Sequence, residues 1–116
     1  MADQECGTIC IMSAVEILRV VHFDNLKTVL AVNAYRGDAT TVAMPLRAII
    51  ADALQLGSSG LLLSHNHPSG DPTPSRDDIL ATHQLIRVAE ALGIKMHDHI
   101  VSGAGRSVSF RAAGLL

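Results

Sequence analysis

The segment of residues 64–78 constrains the chain most, because it combines two histidines, a stiff loop and a helix start. It reads S-H-N-H-P-S-G-D-P-T-P-S-R-D-D, and it follows an apolar run at residues 60–64. That run has no polar alternation, which predicts a central strand covered on both faces and ending at His65 and His67. Residues two apart in an extended chain project to the same side, roughly 6 to 7 Å apart. Their imidazoles can therefore approach one ion with little backbone strain.

A carboxylate stands close to this histidine pair. Asp78 lies in the first turn of a helix predicted to open at Ser75, so the loop can fold its side chain back toward His65 and His67. Two imidazoles and a carboxylate suit zinc, and three protein ligands leave the fourth position for water, as a hydrolytic site requires. The spacing Ser75-x-x-Asp78 also matches a helix capping box, which is the alternative explanation for those two residues.

The same residues carry a resemblance to a known family. His65-x-His67, followed after seven residues by Ser75-x-x-Asp78, resembles the JAMM signature of the MPN/JAB metalloprotease superfamily. The form H-N-H-P-S-G-D-P-T-P-S-R-x-D is most similar to the bacterial RadC-like branch, once labelled DNA-repair proteins. The similarity runs over residues 16–116, with residues 1–15 left as a lead-in segment. It implies an α/β fold: a single MPN/JAB-type domain with a mixed sheet flanked by helices, in a cytidine-deaminase-like three-layer arrangement.

The resemblance also implies an activity and roles for individual residues. The activity is that of a one-zinc metallohydrolase of the peptidase or isopeptidase type, in which zinc-bound water attacks an amide carbonyl. His65, His67 and Asp78 would be the metal ligands, and the Ser75 hydroxyl would help to hold the oxyanion. The family's glutamate opens a strand some fifty residues before the first histidine, and Glu16 lies 49 residues before His65. The resemblance therefore assigns Glu16 as general acid/base, with Glu5 as the alternative.

The remaining pattern agrees with alternating strands and helices. Gly37 closes the second predicted strand, Pro45 suits a first helical turn, and Gly57 and Gly93 are placed to end the two helices. The spacing of apolar residues predicts strands at 16–23, 28–35, 60–64, 94–101 and 107–110, and helices at 45–56 and 75–92.

Composition excludes several classes of function. The net charge is −2, the nine basic residues are spread singly, and aromatic residues make up 3% of the chain, so nucleic acid is not an expected partner. No apolar stretch approaches the ~20 residues needed to span a bilayer. The acidic N-terminus does not have the basic residues of a signal peptide. Cys6 and Cys10 are interpreted as small apolar residues of a protein in a reducing compartment. We expect a cytoplasmic protein.

Other histidines and other functions stay open at this stage. His97 and His99 are candidates for a second metal site, although a structural hydrogen-bonded pair of Asp98 and His99 near the zinc is preferred. His22 and His83 read as surface or half-buried residues. A non-catalytic protein-binding module and an accessory factor in DNA repair are the alternative functions. Zinc-deaminase motifs are missing.

The sequence does not identify a substrate. The partner that the resemblance implies is a peptide or an isopeptide-linked protein, and a homodimer is a further expectation. The groove that would select the substrate is expected on the loops at residues 36–44 and 102–106.

Overall fold

The part of the chain that the structure describes forms one five-stranded mixed sheet with two helices. The structure is a computed structural model, and it describes residues 15–36 and 44–116. The sheet order is β2-β1-β3-β4-β5; β3 and β4 are parallel and the other neighbouring pairs are antiparallel. This confirms the predicted α/β class. In chain order the elements are β1 (Ile17–Phe23), β2 (Val29–Arg36), α1 (Leu46–Leu56), β3 (Gly60–Asn66), α2 (Arg76–Ala91), β4 (Lys95–Gly103) and β5 (Arg106–Ser109).

The predicted element ends agree with the structure where local chemistry is strong. Gly57 ends α1 in the left-handed conformation, with φ +70°, as a glycine after a helix is expected to do. Ser75 is the N-cap of α2, and the capping box with Asp78 is complete. β3 extends two residues beyond its predicted end, to Asn66, and so carries His65 inside the strand. Gly37, Glu5, Cys6 and Cys10 lie outside the described residues.

Both helices pack on the same face of the sheet. The inward residues of β1 and β3 alternate along their strands, and they share one buried cluster with Ile49 of α1 and Leu85 of α2. Ala81 and Thr82 of α2 lie above the end of β3, where His65 points toward the helices. This cluster consists of aliphatic side chains and one methionine, namely Leu18, Val20, Ile49, Ala53, Leu61, Leu63, Leu85, Ala89, Ile94 and Met96.

The opposite face of the sheet is covered by neither of these helices. Leu61 and Leu63 of β3 are fully buried, whereas Leu62 between them is half-buried, and Val32 on β2 is 56% exposed. The expectation that β3 is covered on both faces therefore holds for one face only in the described residues. These residues form two layers of the three-layer arrangement that the resemblance implies. Neither described helix is long and apolar enough to cross a membrane.

Candidate metal centre

Two histidines meet at the end of β3. His65 is 5% exposed, and β3 at this point pairs with Leu18 of β1 and Val101 of β4. His67 follows directly after the strand, and its backbone N–H donates to the Ser102 carbonyl at 2.7 Å. The Nε2 atoms of the two rings lie 3.0 Å apart. The central position of β3 therefore fixes both imidazoles toward one point, as the His-x-His spacing predicts.

Asp78 reaches the histidine pair from α2. Its Oδ2 lies 3.1 Å from His67 Nε2, and its Oδ1 lies 3.7 Å from His65 Nε2. The same Oδ2 accepts the Ser75 backbone N–H at 2.9 Å. Burial raises the pKa of Asp78, but the hydrogen bonds from Ser75 and the two nearby histidines outweigh burial and leave it below its ordinary value. Capping and metal binding are therefore compatible, because Oδ1 stays available while Oδ2 completes the cap.

Glu16, the residue directly before β1, also approaches the histidines. Its Oε2 lies 4.0 Å from His65 Nε2, and the ligand atoms of Glu16, His65 and His67 all lie within 4.8 Å of one another. Burial raises the pKa of this carboxyl, and nearby His67 opposes the increase. The structure thus brings together four of the five residues singled out from the sequence. Glu16 and Asp78 thus place one carboxylate each beside His65.

Ser75, the fifth of these residues, has a different environment. Its Oγ accepts the Asp78 backbone N–H at 3.0 Å, and the residue is exposed. A hydroxyl that accepts one hydrogen bond still carries its own hydrogen, which can be donated to a ligand. The cap is a structural finding, whereas the oxyanion role stays a prediction.

Asn66, the residue between the two histidines, binds the backbone on both sides of Glu16. Its Oδ1 accepts the Ile17 N–H at 2.8 Å, and its Nδ2 donates to the Val15 carbonyl at 3.2 Å. The residue therefore links β3 to the start of β1 at the position of Glu16. No pattern in the sequence predicted this contact.

The hydrogen bonds of His67 test whether these residues fit a metal ion. Its Nδ1 lies 2.8 Å from the Asp71 carbonyl oxygen, which can only accept, so Nδ1 carries the hydrogen. In neutral His67, Nε2 therefore carries a lone pair and no hydrogen. This atom lies 3.0 Å from His65 Nε2 and 3.1 Å from Asp78 Oδ2. Such a concentration of acceptors is stabilised by a cation. Two imidazoles with carboxylates match the donor set of zinc.

A buried hydrogen-bond chain lies behind His65. His65 Nδ1 is 2.6 Å from His99 Nε2, His99 Nδ1 is 2.8 Å from Thr82 Oγ1, and the Thr82 hydroxyl donates to the Asp78 carbonyl at 2.7 Å. The His99 ring also stacks on Phe110, with the ring centroids 4.4 Å apart. Burial, with the neighbouring His65 adding to its effect, lowers the pKa of His99 to about 3. Sequence reasoning missed Thr82, a polar residue four positions after Asp78 on the apolar side of α2.

The second metal site considered for His97 and His99 is not formed. The β3–β4 pairing shifts its register between Leu61 and Leu62, whose partners are Met96 and Asp98. His97 is therefore an extra residue in β4 that stands opposite no residue of β3. Its ring packs edge-on against Phe23, with the ring centroids 5.3 Å apart. The two histidines therefore do not share one face, because β4 bulges between them.

Asp98 and His99 are hydrogen-bonded, but through the His99 backbone. Asp98 Oδ1 accepts the N–H groups of His99 and Arg111, and Oδ2 accepts the Ser109 hydroxyl at 2.5 Å. Asp98 therefore ties the segment after β5 to β4. The His99 ring is the part of the pair that contacts His65.

His22 is fully buried, which corrects the expectation of a surface or half-buried residue. Its ring lies on the inward face of β1, and Nδ1 lies 2.7 Å from Ser58 Oγ. Asn33 Nδ2 donates to His22 Nε2 at 3.3 Å and to Asp52 Oδ2 at 3.2 Å, and the Tyr35 hydroxyl donates to the same carboxylate oxygen. This cluster lies outside the candidate metal centre. His83, by contrast, is exposed as expected.

An open cleft adjoins His67. It has a volume of ≈ 630 Å³, and one of the two loops expected to form a substrate groove lines it. Most of the other expected loop, residues 37–43, lies outside the described residues. The cleft is lined by Asn66, His67, Pro68, Gly70, Ser102, Gly103, Ala104, Gly105, Arg106 and Ser107.

Comparison with known proteins places the chain in a family. The model of the RadC-like JAB domain matches residues 4–115. The chain is 46% identical over 112 residues to a UPF0758 protein of Rhodobacter capsulatus, covering 96% of this chain and 52% of the relative. It is 41% identical over 113 residues to a UPF0758 protein of Ruegeria pomeroyi, covering 96% and 50% of the two chains. The chain belongs to the RadC-like JAB domain family.

The chain spans about half the length of the curated relatives it matches. A UPF0758 protein of Roseiflexus sp. shows the same relationship, with 40% identity over 101 residues that cover 86% of this chain and 43% of the relative. The names of these relatives state no activity. The division between a lead-in at residues 1–15 and a domain at residues 16–116 stays a prediction.

Proposed function

We propose that this domain is a zinc-dependent hydrolase of peptide or isopeptide bonds, with His65, His67 and Asp78 as metal ligands. One observation carries the proposal. In the neutral form of His67, the Nε2 lone pair faces His65 Nε2 and an Asp78 oxygen at about hydrogen-bond distance, with no hydrogen of His67 to place between them. A cation at this point would satisfy all three groups.

A bound zinc ion would lower the pKa of a water to about 7 and polarise a carbonyl oxygen. Glu16 would take the proton from the attacking water and transfer it to the departing nitrogen, while the C–O bond forms and the C–N bond breaks. Its position beside His65, 4.0 Å from Nε2, supports this role. The Ser75 hydroxyl would donate a hydrogen bond to the oxyanion, and the cleft beside His67 would hold the substrate chain.

Zinc analysis tests the metal site. Protein purified without a metal-affinity tag should contain about one equivalent of zinc, and His65→Ala and Asp78→Ala should each lose it. His83→Ala is the matched control, because His83 is exposed and its Nε2 donates to the Leu115 carbonyl away from the site. A folded wild type that binds no zinc under dialysis against the metal would contradict the proposed site.

Turnover tests the reaction. A mixture of quenched fluorescent peptides and lysine-linked isopeptides should be cleaved by the wild type. Glu16→Gln should keep zinc and lose roughly 10²- to 10⁴-fold in kcat, as removal of a general acid/base does. If zinc is bound but neither class is cleaved, while the same substrates bind without turnover, the non-catalytic binding module replaces the hydrolase.

A further inference from the structure

The hydrogen-bond chain behind His65 has only one possible direction. It starts at the Asp78 carbonyl, which can only accept, so the hydrogen of the Thr82 hydroxyl must point to it across 2.7 Å. A hydroxyl has a single hydrogen. The 2.8 Å contact between Thr82 Oγ1 and His99 Nδ1 therefore requires a hydrogen from His99.

The direction continues through His99 to His65. The His99 ring is fully buried, and a neutral imidazole with its hydrogen on Nδ1 has a lone pair on Nε2. That lone pair lies 2.6 Å from His65 Nδ1, which must therefore donate. His65 in turn presents the lone pair of its Nε2 to His67 and Asp78.

We propose that Thr82 and His99 are positioning residues that select the metal-binding tautomer of His65 before any ion arrives. The inference rests on the proposed function only for the claim that His65 is a ligand. It rests on the hydrogen bonds for the direction of the chain. An imidazole without such partners exchanges its hydrogen between Nδ1 and Nε2, and a hydrogen on Nε2 would occupy the position that a metal needs.

The hydrogen-bond chain also connects two proposed metal ligands that stand on different elements. His65 belongs to β3, whereas Thr82 accepts from His99 of β4 and donates to the backbone of Asp78 on α2. The hydrogen bond from the Thr82 hydroxyl to the Asp78 carbonyl lies within the first turns of α2. A change at Thr82 therefore affects both the tautomer of His65 and the packing of the helix that carries Asp78. The test must therefore distinguish an effect on the His65 tautomer from an effect on the stability of the fold.

Thr82→Val and Thr82→Ser form the matched pair. Valine keeps the shape and removes the hydroxyl, so the His99 Nδ1–H loses its acceptor and the hydrogen moves to Nε2. His65 Nδ1 then becomes an acceptor, and its own hydrogen moves to Nε2. Serine keeps the hydroxyl and hence the wild-type direction. His99→Phe is a second variant, for the case that Thr82→Val does not fold. It removes the hydrogen-bond chain and retains the ring packing on Phe110.

Two measurements on the full chain are needed. Proton–nitrogen correlation spectra of the metal-free protein report the imidazole tautomers, with the His65 signals assigned by their loss in His65→Ala. Chelator competition reports the affinity for zinc. We expect a single Nδ1–H tautomer of His65 in the wild type and in Thr82→Ser, and an Nε2–H or mixed tautomer in Thr82→Val and His99→Phe. The latter two variants should bind zinc roughly 10- to 100-fold more weakly.

The inference is overturned if a folded Thr82→Val or His99→Phe keeps the wild-type His65 tautomer, since the effect would then be on stability alone. Unchanged zinc affinity together with a changed tautomer overturns the positioning role. A wild type that binds no zinc, yet shows the tautomer change in the variants, contradicts the proposed function while supporting the direction of the chain. Failure of the two proposals is therefore distinguishable.

Discussion

Asn66 holds the backbone on both sides of Glu16, with one hydrogen bond to Ile17 N–H at 2.8 Å and one to the Val15 carbonyl at 3.2 Å. The amide therefore connects the strand that carries the histidines to the residue assigned as acid/base. Its donor and its acceptor are both used, which a hydroxyl of serine or threonine cannot reproduce with the same reach.

We predict that Asn66→Ala lowers kcat without removing the metal. Loss of both hydrogen bonds frees the backbone around Glu16, and a displacement of about 1 Å in a reacting group costs roughly 100-fold in rate. Zinc content should stay at the wild-type level, because the histidines and Asp78 are unchanged. Steady-state kinetics and zinc analysis check this, with Ser64→Ala on the same strand as the control. Full activity in Asn66→Ala would show that Glu16 is held by other contacts.

The two roles of Ser75 can be separated by comparing Ser75→Ala with Ser75→Gly. Alanine at the N-cap should cost about 1 kcal/mol in the free energy of unfolding, whereas glycine should cost only a few tenths. Both remove the hydroxyl, so an oxyanion role predicts an equal loss of roughly 10²- to 10³-fold in kcat. Denaturant unfolding and kinetics measure the two effects. A loss of activity that follows stability, small for glycine and larger for alanine, would leave Ser75 with the cap alone.

The sequence predicted most of what depends on local chemistry. Gly57 in a left-handed conformation, the Ser75 cap and the His-x-His pair are short-range patterns, and the structure contains each of them. The α/β class follows from the alternation of strand and helix patterns. The approach of Glu16 to His65 depended on the family resemblance, because no local pattern brings two residues 49 positions apart together.

The contacts missed from the sequence are those made between elements. Thr82 has the pattern of an ordinary helix residue, and its partner His99 lies on β4, the next strand in chain order after the strand that carries His65. The bulge that separates His97 from His99 changes which face each residue occupies, and nothing in the alternation of β4 signals it. His22 is buried because Ser58 and Asn33 satisfy its ring nitrogens. Such pairings appear only when strand register is known.

The buried cluster around His22 should make stability depend on pH. Burial lowers the pKa of His22, and nearby Asp52 only partly opposes this. The unfolded chain, with the ordinary pKa of about 6.5, then binds more protons than the folded protein. The stabilisation is fully present above about pH 6.5 and is lost as the pH falls from there through the folded pKa.

We therefore predict that the free energy of unfolding decreases less between pH 7.5 and pH 5 in His22→Asn than in the wild type. Asparagine can keep the hydrogen bond to Ser58 and does not titrate. The other buried histidines titrate in both proteins, so the difference between the two curves isolates His22. Because the cluster lies outside the metal centre, the difference should be the same with and without added zinc. Parallel curves would show that His22 does not contribute.

The close approach of the motif loop to the β4–β5 hairpin depends on Gly103. A Cβ atom at this position would lie 2.8 Å from the backbone C and O atoms of Gly70, neither of which can move without moving the loop. The same loop carries the Asp71 carbonyl that accepts from His67 Nδ1–H. Gly103→Ala should therefore displace the loop and reorient His67.

We predict that Gly103→Ala weakens zinc binding roughly tenfold or more, as changes behind a metal-binding histidine do. Gly105→Ala is the matched control in the same hairpin. Gly105 has a φ of +76° and nothing within 4 Å of an added Cβ, so alanine there adds backbone strain of about 1 kcal/mol without touching the loop. Chelator competition and thermal unfolding on both variants distinguish the two effects. If Gly105→Ala weakens zinc binding as much as Gly103→Ala, the cause is general loss of stability in the hairpin and not the contact with Gly70.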